Sequence, residues 1–459
     1  MTMNDKGDAA GLVGQSLNEA MHFHAMGDLD RAEKQYVQVL SKEYRTADIL
    51  PLLASVVAKR GDAEAAIYYW DKLLAIDPRH LTAYLEKANL LRGMDRTAEA
   101  ITCYEIARTI APENPLIRNN LAVTMADFGR KDDALMEFSH VLRLQPSNIN
   151  AYHQMRRLST SIVPFWHVAM MNDVRRNDAF EAAIIRAIEM RGPQAQILDI
   201  GSGSGLLSMM AARAGATNVV TCESVPVIAR AAEAIVADNG YSEQVKVVSK
   251  PSTGLSVGKE MAAKAEILVS EILSSDLLAE HVLITFEDAQ KRLLTEDAIV
   301  IPQRAAAIGC LVASETLTEY SHVTTVSGFN VARFNSLAPM ALPIHGTMSD
   351  WTRLSDDFEI TSVDLTRRSF DADMRQIAIP VTASGTVVGV VQWMHVDLID
   401  DITFTNHPDD YQDGGWLQIL HPFPAPITVE AGTTLNLRVG HDKKSLIVLP
   451  GPQKRPVNN

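Results

Sequence analysis

One regularity limits what the first third of this 459-residue chain can fold into: side-chain size recurs every 34 residues. Ala20, Ala54, Ala88 and Ala122 stand 34 apart, as do Ala32, Ala66, Ala100 and Ala134. The aromatic series Tyr36, Trp70, Tyr104 and Phe138 keeps the same step. Gly27, Gly61 and Gly129 mark the middle of three units, and Asp95 takes that place in the remaining one, with Gly93 two residues before it. Pro78, Pro112 and Pro146 close three units. Small alanines let two antiparallel helices approach closely, and the aromatic fills the gap beside the next pair. Glycine supplies the turn, and proline ends the second helix because it cannot continue the hydrogen-bond ladder. A fixed period of this length predicts stacked helix pairs.

The spacing resembles the tetratricopeptide repeat and covers residues 13–148 as four units, behind a flexible N-terminus of residues 1–12. The resemblance implies an all-α solenoid that recruits a peptide or protein partner. A purely supporting array is the other use of such repeats, and the residues leave both open.

Composition narrows the function classes. A net charge of −14 argues against direct nucleic-acid binding, which needs clustered Lys and Arg, and suits a cationic partner. Cys103, Cys222 and Cys310 lie far apart and suggest neither a disulfide framework nor a metal cluster. No apolar run approaches the roughly 20 residues that span a bilayer, and the first residues do not read as a signal peptide. The expectation is a cytoplasmic protein without membrane association or metal.

After residue 180 the pattern changes. EAAIIRAIEM reads as a helix, and ILDI as a buried parallel strand. A turn carrying Gly201, Gly203 and Gly205 follows, then a helix from LLSMM, then the strand NVVTCE ending at Glu223. Such a βαβ start can serve a dinucleotide. Asp199 two residues before the first glycine, with the G-x-G-x-G spacing, instead resembles class I S-adenosylmethionine-dependent methyltransferases. That likeness implies a Rossmann-like domain, glycines that let the backbone approach the donor, and Glu223 accepting from the ribose hydroxyls.

A second acidic feature follows the strand AEILVS. Glu271 and Glu280 bracket the loop SEILSSDLLAE, which is otherwise apolar or small apart from Asp276. Two carboxylates facing one pocket repel each other unless a cation sits between them. A guanidinium, with donors in a planar fork, matches such a pair. The loop's nine-residue spacing resembles that of the protein arginine methyltransferases, in the branch whose core follows tetratricopeptide repeats. This resemblance spans residues 150–459. It implies that residues 163–180 form an amphipathic lid helix, with Met170 near the transferred methyl, Arg176 on the donor's carboxylate and His167 close to the donor. Asp173 would face the arginine pocket and, with Trp416, Glu271 and Glu280, make up the catalytic set, and Ser252 would join the donor-binding set.

The implied architecture is a Rossmann-like domain over 149–301 and a β-barrel over 302–459, with a helical dimerisation arm near 316–355. Segments TTVSGFNVARF, SGTVVGVVQWMHVDL and TTLNLRVGHD read as its strands. The implied activity is methyl transfer from S-adenosylmethionine to arginine in protein substrates by a homodimer, yielding S-adenosylhomocysteine. Another acceptor, or a non-catalytic repeat scaffold, is the alternative. Three departures stand out. Gly415 replaces the histidine of the family's Thr-His-Trp loop, with His407 and His421 as possible substitutes. Gly254 replaces a common adenine-contacting glutamate, and Ser274-Ser275-Asp276 replaces a bulkier loop centre.

Overall fold

In the computed structural model, residues 3–42, 45–162, 166–410 and 415–452 are described. They fall into two compact units, Met1–Ile162 and Val163–Asn459. Residues 1–2, 163–165 at the head of the lid motif and Gly414 of the loop motif lie outside the described residues.

In the first unit, the 34-residue period becomes helix pairs: α1 (Met3–Ala25) with α2 (Leu29–Leu40), α3 (Thr46–Lys59) with α4 (Ala63–Ile76), α5 (Leu81–Gly93) with α6 (Thr97–Ile110), and α7 (Pro115–Asp127) with α8 (Lys131–Leu144). Each helix packs on the next. All the repeat alanines are fully buried, as are Tyr36, Tyr104 and Phe138, with Trp70 nearly so. Gly27, Gly61 and Gly129 take φ of 77°, 89° and 89°, the left-handed turn that a side chain resists. Asp95 adopts φ 58° at the equivalent turn, a conformation Asp tolerates better than most residues. Asp28 and Asp62 then cap the following helices by accepting from the Arg31 and Ala65 amides.

Two boundaries differ from the sequence reading. Helix α1 begins at Met3, within the stretch expected to be flexible. The array also runs past residue 148 through α9 (Ile149–Ile162), which packs on α8 and buries Ala151 and Leu158. The last repeat's apolar face needs a cover, and α9 supplies it.

In the second unit, the expected single lid helix is two: α10 (Trp166–Met171) and α11 (Val174–Arg191). Asp173 ends one and caps the other by accepting from the Arg176 amide at 3.1 Å. Five parallel strands follow: β1 (Gln196–Ile200), β2 (Asn218–Cys222), β3 (Val245–Val248), β4 (Ala265–Ser270) and β5 (Leu294–Ile301). Between them run α12 (Leu206–Arg213) after β1, α13 (Pro226–Asp238) after β2 and α14 (Val282–Arg292) after β4. The order is β3-β2-β1-β4-β5. Connections from β1 run one way and β4 lies on its other side, so a crevice opens at the carboxyl ends of β1 and β4.

The remainder is antiparallel and β-rich. Arg304–Ala313, Gly385–Ile399 and Ile419–Val429 form the centre of a seven-stranded sheet, and Asp373–Pro380, Thr434–His441 and Leu446–Pro450 a three-stranded one. Pairings among the described strands give these sheets and do not close a ring. TTVSGFNVARF joins neither of these sheets: Ser327 and Gly328, at φ 50° and 87°, turn it into a separate hairpin of two-residue strands followed by a 3-10 helix, Ala332–Leu337. Asn335 closes that excursion by bonding both the amide and the carbonyl of Val323.

Candidate active site

The glycine turn after β1 is braced from the neighbouring strand, because the Gly201 and Ser202 amides both donate to the Cys222 carbonyl at 3.0 Å. Gly201, Gly203 and Gly205 all have positive φ. A Cβ at Gly201 would meet Ile272 at 2.5 Å, whereas one at Gly203 would point into open space. Glu223, just past β2, accepts from the Gly203 amide at 3.2 Å and from the Val225 amide at 2.9 Å. Its carboxylate is thereby fixed beside the turn.

The crevice holds a cavity of about 410 Å³. His167, Met170, Gly201, Gly203, Glu223, Glu271, Glu280, Gly415 and Trp416 all line it. Residues from α10, three strand ends and a loop more than 130 positions downstream therefore converge on one space. Burial among apolar walls pushes the Glu271 carboxyl up to about 7; nearby Arg176 opposes that shift, while Glu280 and Asp199 add to it. Burial also raises Glu280, with Glu223 and Asp276 adding repulsion. Glu271 Oε1 is buried without a hydrogen-bond partner. A cavity ringed by carboxylates held above their usual range favours a cationic occupant.

Five expected residues stand behind the lining. Asp199 lies beneath the turn, where its Oδ2 accepts from Ser208 at 2.6 Å and Thr221 at 2.9 Å; burial pushes its carboxyl up to about 6. Gly205 opens α12, and a Cβ there would crowd Val236 at 3.1 Å. Ser252 is buried in a short 3-10 turn whose carbonyl accepts from Arg292. Arg176, in the first turn of α11, forms a buried ion pair with Glu271, and its guanidinium carbon lies 5.4 Å from the Phe180 ring centre and 5.9 Å from that of Trp416. Asp173 joins α11 to the downstream loop by accepting from the Gly415 amide at 3.3 Å.

Neither proposed substitute for the missing histidine reaches Asp173. His407 bonds Asp357 at 3.2 Å and packs edge-on against Trp393. His421 is buried in its strand with Nε2 unpartnered, and burial pushes it down to about 4.

Sequence reasoning named Trp416 and Ser275 and missed how they hold the loop in place, and it missed Asn406 altogether. Trp416 Nε1 donates to the Leu273 carbonyl at 3.0 Å, and the Leu417 amide donates to Ser275 Oγ at 3.1 Å. Fully buried Asn406 donates to the Trp416 carbonyl, and its own carbonyl accepts from Gln418. Ala341 and Pro343 complete the wall. Asn406, Ala341 and Pro343 carried no signal, since their roles depend on partners brought together by folding.

The cavity at the sheet's switch point, the acid after β2 and the paired glutamates define an enzyme-like transferase site, and comparison with known proteins gives it a family. Residues 182–302 match the ribosomal protein L11 methyltransferase (PrmA) family, and residues 17–80 and 85–149 match the tetratricopeptide repeat. An arginine N(omega)-methyltransferase of Streptomyces achromogenes subsp. streptozoticus is 36% identical over 327 residues, covering 70% of this chain and 88% of its own length. The chain belongs to the arginine N-methyltransferase family. Human protein arginine N-methyltransferase 9 is 24% identical over 458 residues, covering 91% of this chain and 51% of its own length. Protein arginine N-methyltransferase 7 of Drosophila ananassae is 29% identical over 323 residues, covering 60% and 46%. The chain thus spans about half the length of these two animal relatives.

The fold is similar to the Trypanosoma brucei PRMT1 enzyme–prozyme heterotetrameric complex with AdoHcy, at TM-score 0.54, 22% identity and coverage of 61% of this chain and 89% of that one. Arabidopsis thaliana protein arginine methyltransferase 10 gives TM-score 0.50, 20% identity and coverage of 61% and 88%. No helix among the described residues is long and apolar enough to cross a membrane.

Proposed function

We propose that the protein transfers a methyl group from S-adenosylmethionine to a guanidinium nitrogen of arginine in protein substrates, releasing S-adenosylhomocysteine. The observation that carries this reading is that Glu271 and Glu280 open onto the same cavity as the glycine turn and Glu223. The residues fit the donor: Gly203 leaves open space at the turn, Glu223 offers a fixed carboxylate for a diol, and His167 and Met170 roof the cavity. When bound, the donor supplies an electrophilic methyl on a sulfonium.

The chain's own residues do the rest. Glu271 and Glu280 hold the guanidinium fork and draw its charge toward one nitrogen, leaving the other free to attack in line; orientation supplies much of the rate. Their charges also favour the positive charge that the acceptor gains. Glu271, raised toward neutrality, can take the proton that the methylated guanidinium sheds. Trp416 and Met170 give the cavity apolar walls.

Changing Glu271→Gln and Glu280→Gln separately should each reduce transfer of labelled methyl to an arginine-rich peptide by about 100-fold or more, since each removes a charge that positions the acceptor. Full activity in both variants would sink arginine as acceptor. The Streptomyces relative is named for arginine itself, so free arginine belongs in the same assay. Faster transfer to it than to peptide would replace the protein substrate.

Three further readings go with this one. The repeats recruit the substrate or a partner protein. The enzyme works as a homodimer through residues 316–355, a reading supported by the exposure of Phe329, Phe334, Leu337 and Met340 there. It resides in the cytoplasm.

A further inference from the structure

We infer that Gly415 is a positioning residue, given the methyl transfer proposed above: its bare backbone seats the lid helix α10 over the donor end of the cavity. Gly415 is buried, and the space around it leaves no room for a side chain. A Cβ at this position would lie 2.6 Å from Met170 Cα and 2.8 Å from Met170 N. Both are main-chain atoms of α10, which cannot rotate aside as a side-chain tip could.

The same residue makes a directed contact. Its amide donates to Asp173 Oδ2 at 3.3 Å, while Asp173 Oδ1 accepts from the Arg176 amide at 3.1 Å. Asp173 therefore clamps the loop to the α10–α11 junction. On the far side the loop is tied to the glutamate loop through Trp416 Nε1 and the Leu273 carbonyl. Arg176, on the turn that Asp173 caps, pairs with Glu271.

A histidine here would need the volume that the Met170 main chain fills. The Gly415 amide hydrogen-bonds the aspartate without it, and lets His167 and Met170 close on the cavity. The Gly415 backbone thus holds Asp173 without adding a titrating group.

Gly415→Ala and Gly415→His test this in the full-length protein, with S-adenosylhomocysteine as the calorimetric probe. Both should weaken its binding by about tenfold or more, because small displacements of a positioned wall are costly. KM for S-adenosylmethionine should rise by more than kcat falls. Hydrogen exchange over residues 166–171 should speed up even without ligand. Should the glycine variants not fold, Asp173→Asn keeps the space and weakens only the clamp, and should still loosen binding about threefold. Binding within twofold of wild type in the folded variants, or a faster enzyme with Gly415→His, would overturn the inference. Wild-type protein that fails to bind the probe would instead count against the methyltransferase reading, and the ligand-free exchange arm would still decide the role of Gly415.

Discussion

At the residue scale, the acids of the site divide by what surrounds them. Asp199 and Glu271 are both buried and both raised, yet Asp199 is held by two hydroxyls under the turn while Glu271 faces the cavity. With its carboxyl near 7, Glu271 is largely protonated below neutrality and charged above it. Arginine stays cationic throughout. Affinity for an arginine peptide should therefore climb between about pH 6 and about pH 8, and Glu271→Gln should flatten that climb; fluorescence binding titrations check it. The linkage to stability has the opposite sign. A carboxyl whose pKa is higher folded than unfolded contributes most below its unfolded value, and that contribution declines as pH rises toward 7. The charged form that suits the substrate is the form that folding disfavours.

At the scale of elements, most of the first unit was legible because one period recorded packing, turn and stop together. The alanine and aromatic columns became the buried seam of the array, and the glycines became left-handed turns. Gly61→Val should lower the stability of the helical transition by about 1–2 kcal/mol, while Asp95→Gly should raise it by up to about 1 kcal/mol, since only glycine takes such a φ without cost. Denaturant titration followed by far-ultraviolet circular dichroism measures both, and an Asp95→Gly protein less stable than the parent would contradict the argument. Elements were misread where local chemistry overrode pattern. Asp173 splits the lid helix by capping, and the Ser327–Gly328 turn folds an alternating segment into a small hairpin.

At the scale of the whole molecule, the exposed apolar residues of 316–355 are the surface that the proposed homodimer would cover. Phe334 is 64% exposed and Leu337 74%, on a 3-10 turn whose residues bury no side chain in the chain's own core. Scattered apolar residues are ordinary on a protein surface, whereas large contiguous apolar patches mark interfaces. For the proposed homodimer, replacing both with glutamate should shift sedimentation from dimer to monomer and reduce methyl transfer, because Ala341 and Pro343, a few residues further along the segment, line the cavity. A sedimentation coefficient unchanged from that of the parent protein would exclude this segment as the contact.

The amino-acid sequence by itself determined the repeat array, the glycine turn with its following acid, and the glutamate pair, because each is written in residues close together along the chain. Short-range spacing is enough to specify a helix pair, a strand-turn-helix or a loop. Only the tertiary structure decided which of these residues meet. It set Asp199 beneath the turn, Arg176 against Glu271, and Gly415 against the Met170 main chain and Asp173, some 240 positions away. The reason is physical: a steric limit or a hydrogen bond between distant segments leaves no periodic trace, and exists only once the sheet has brought its loops to one edge.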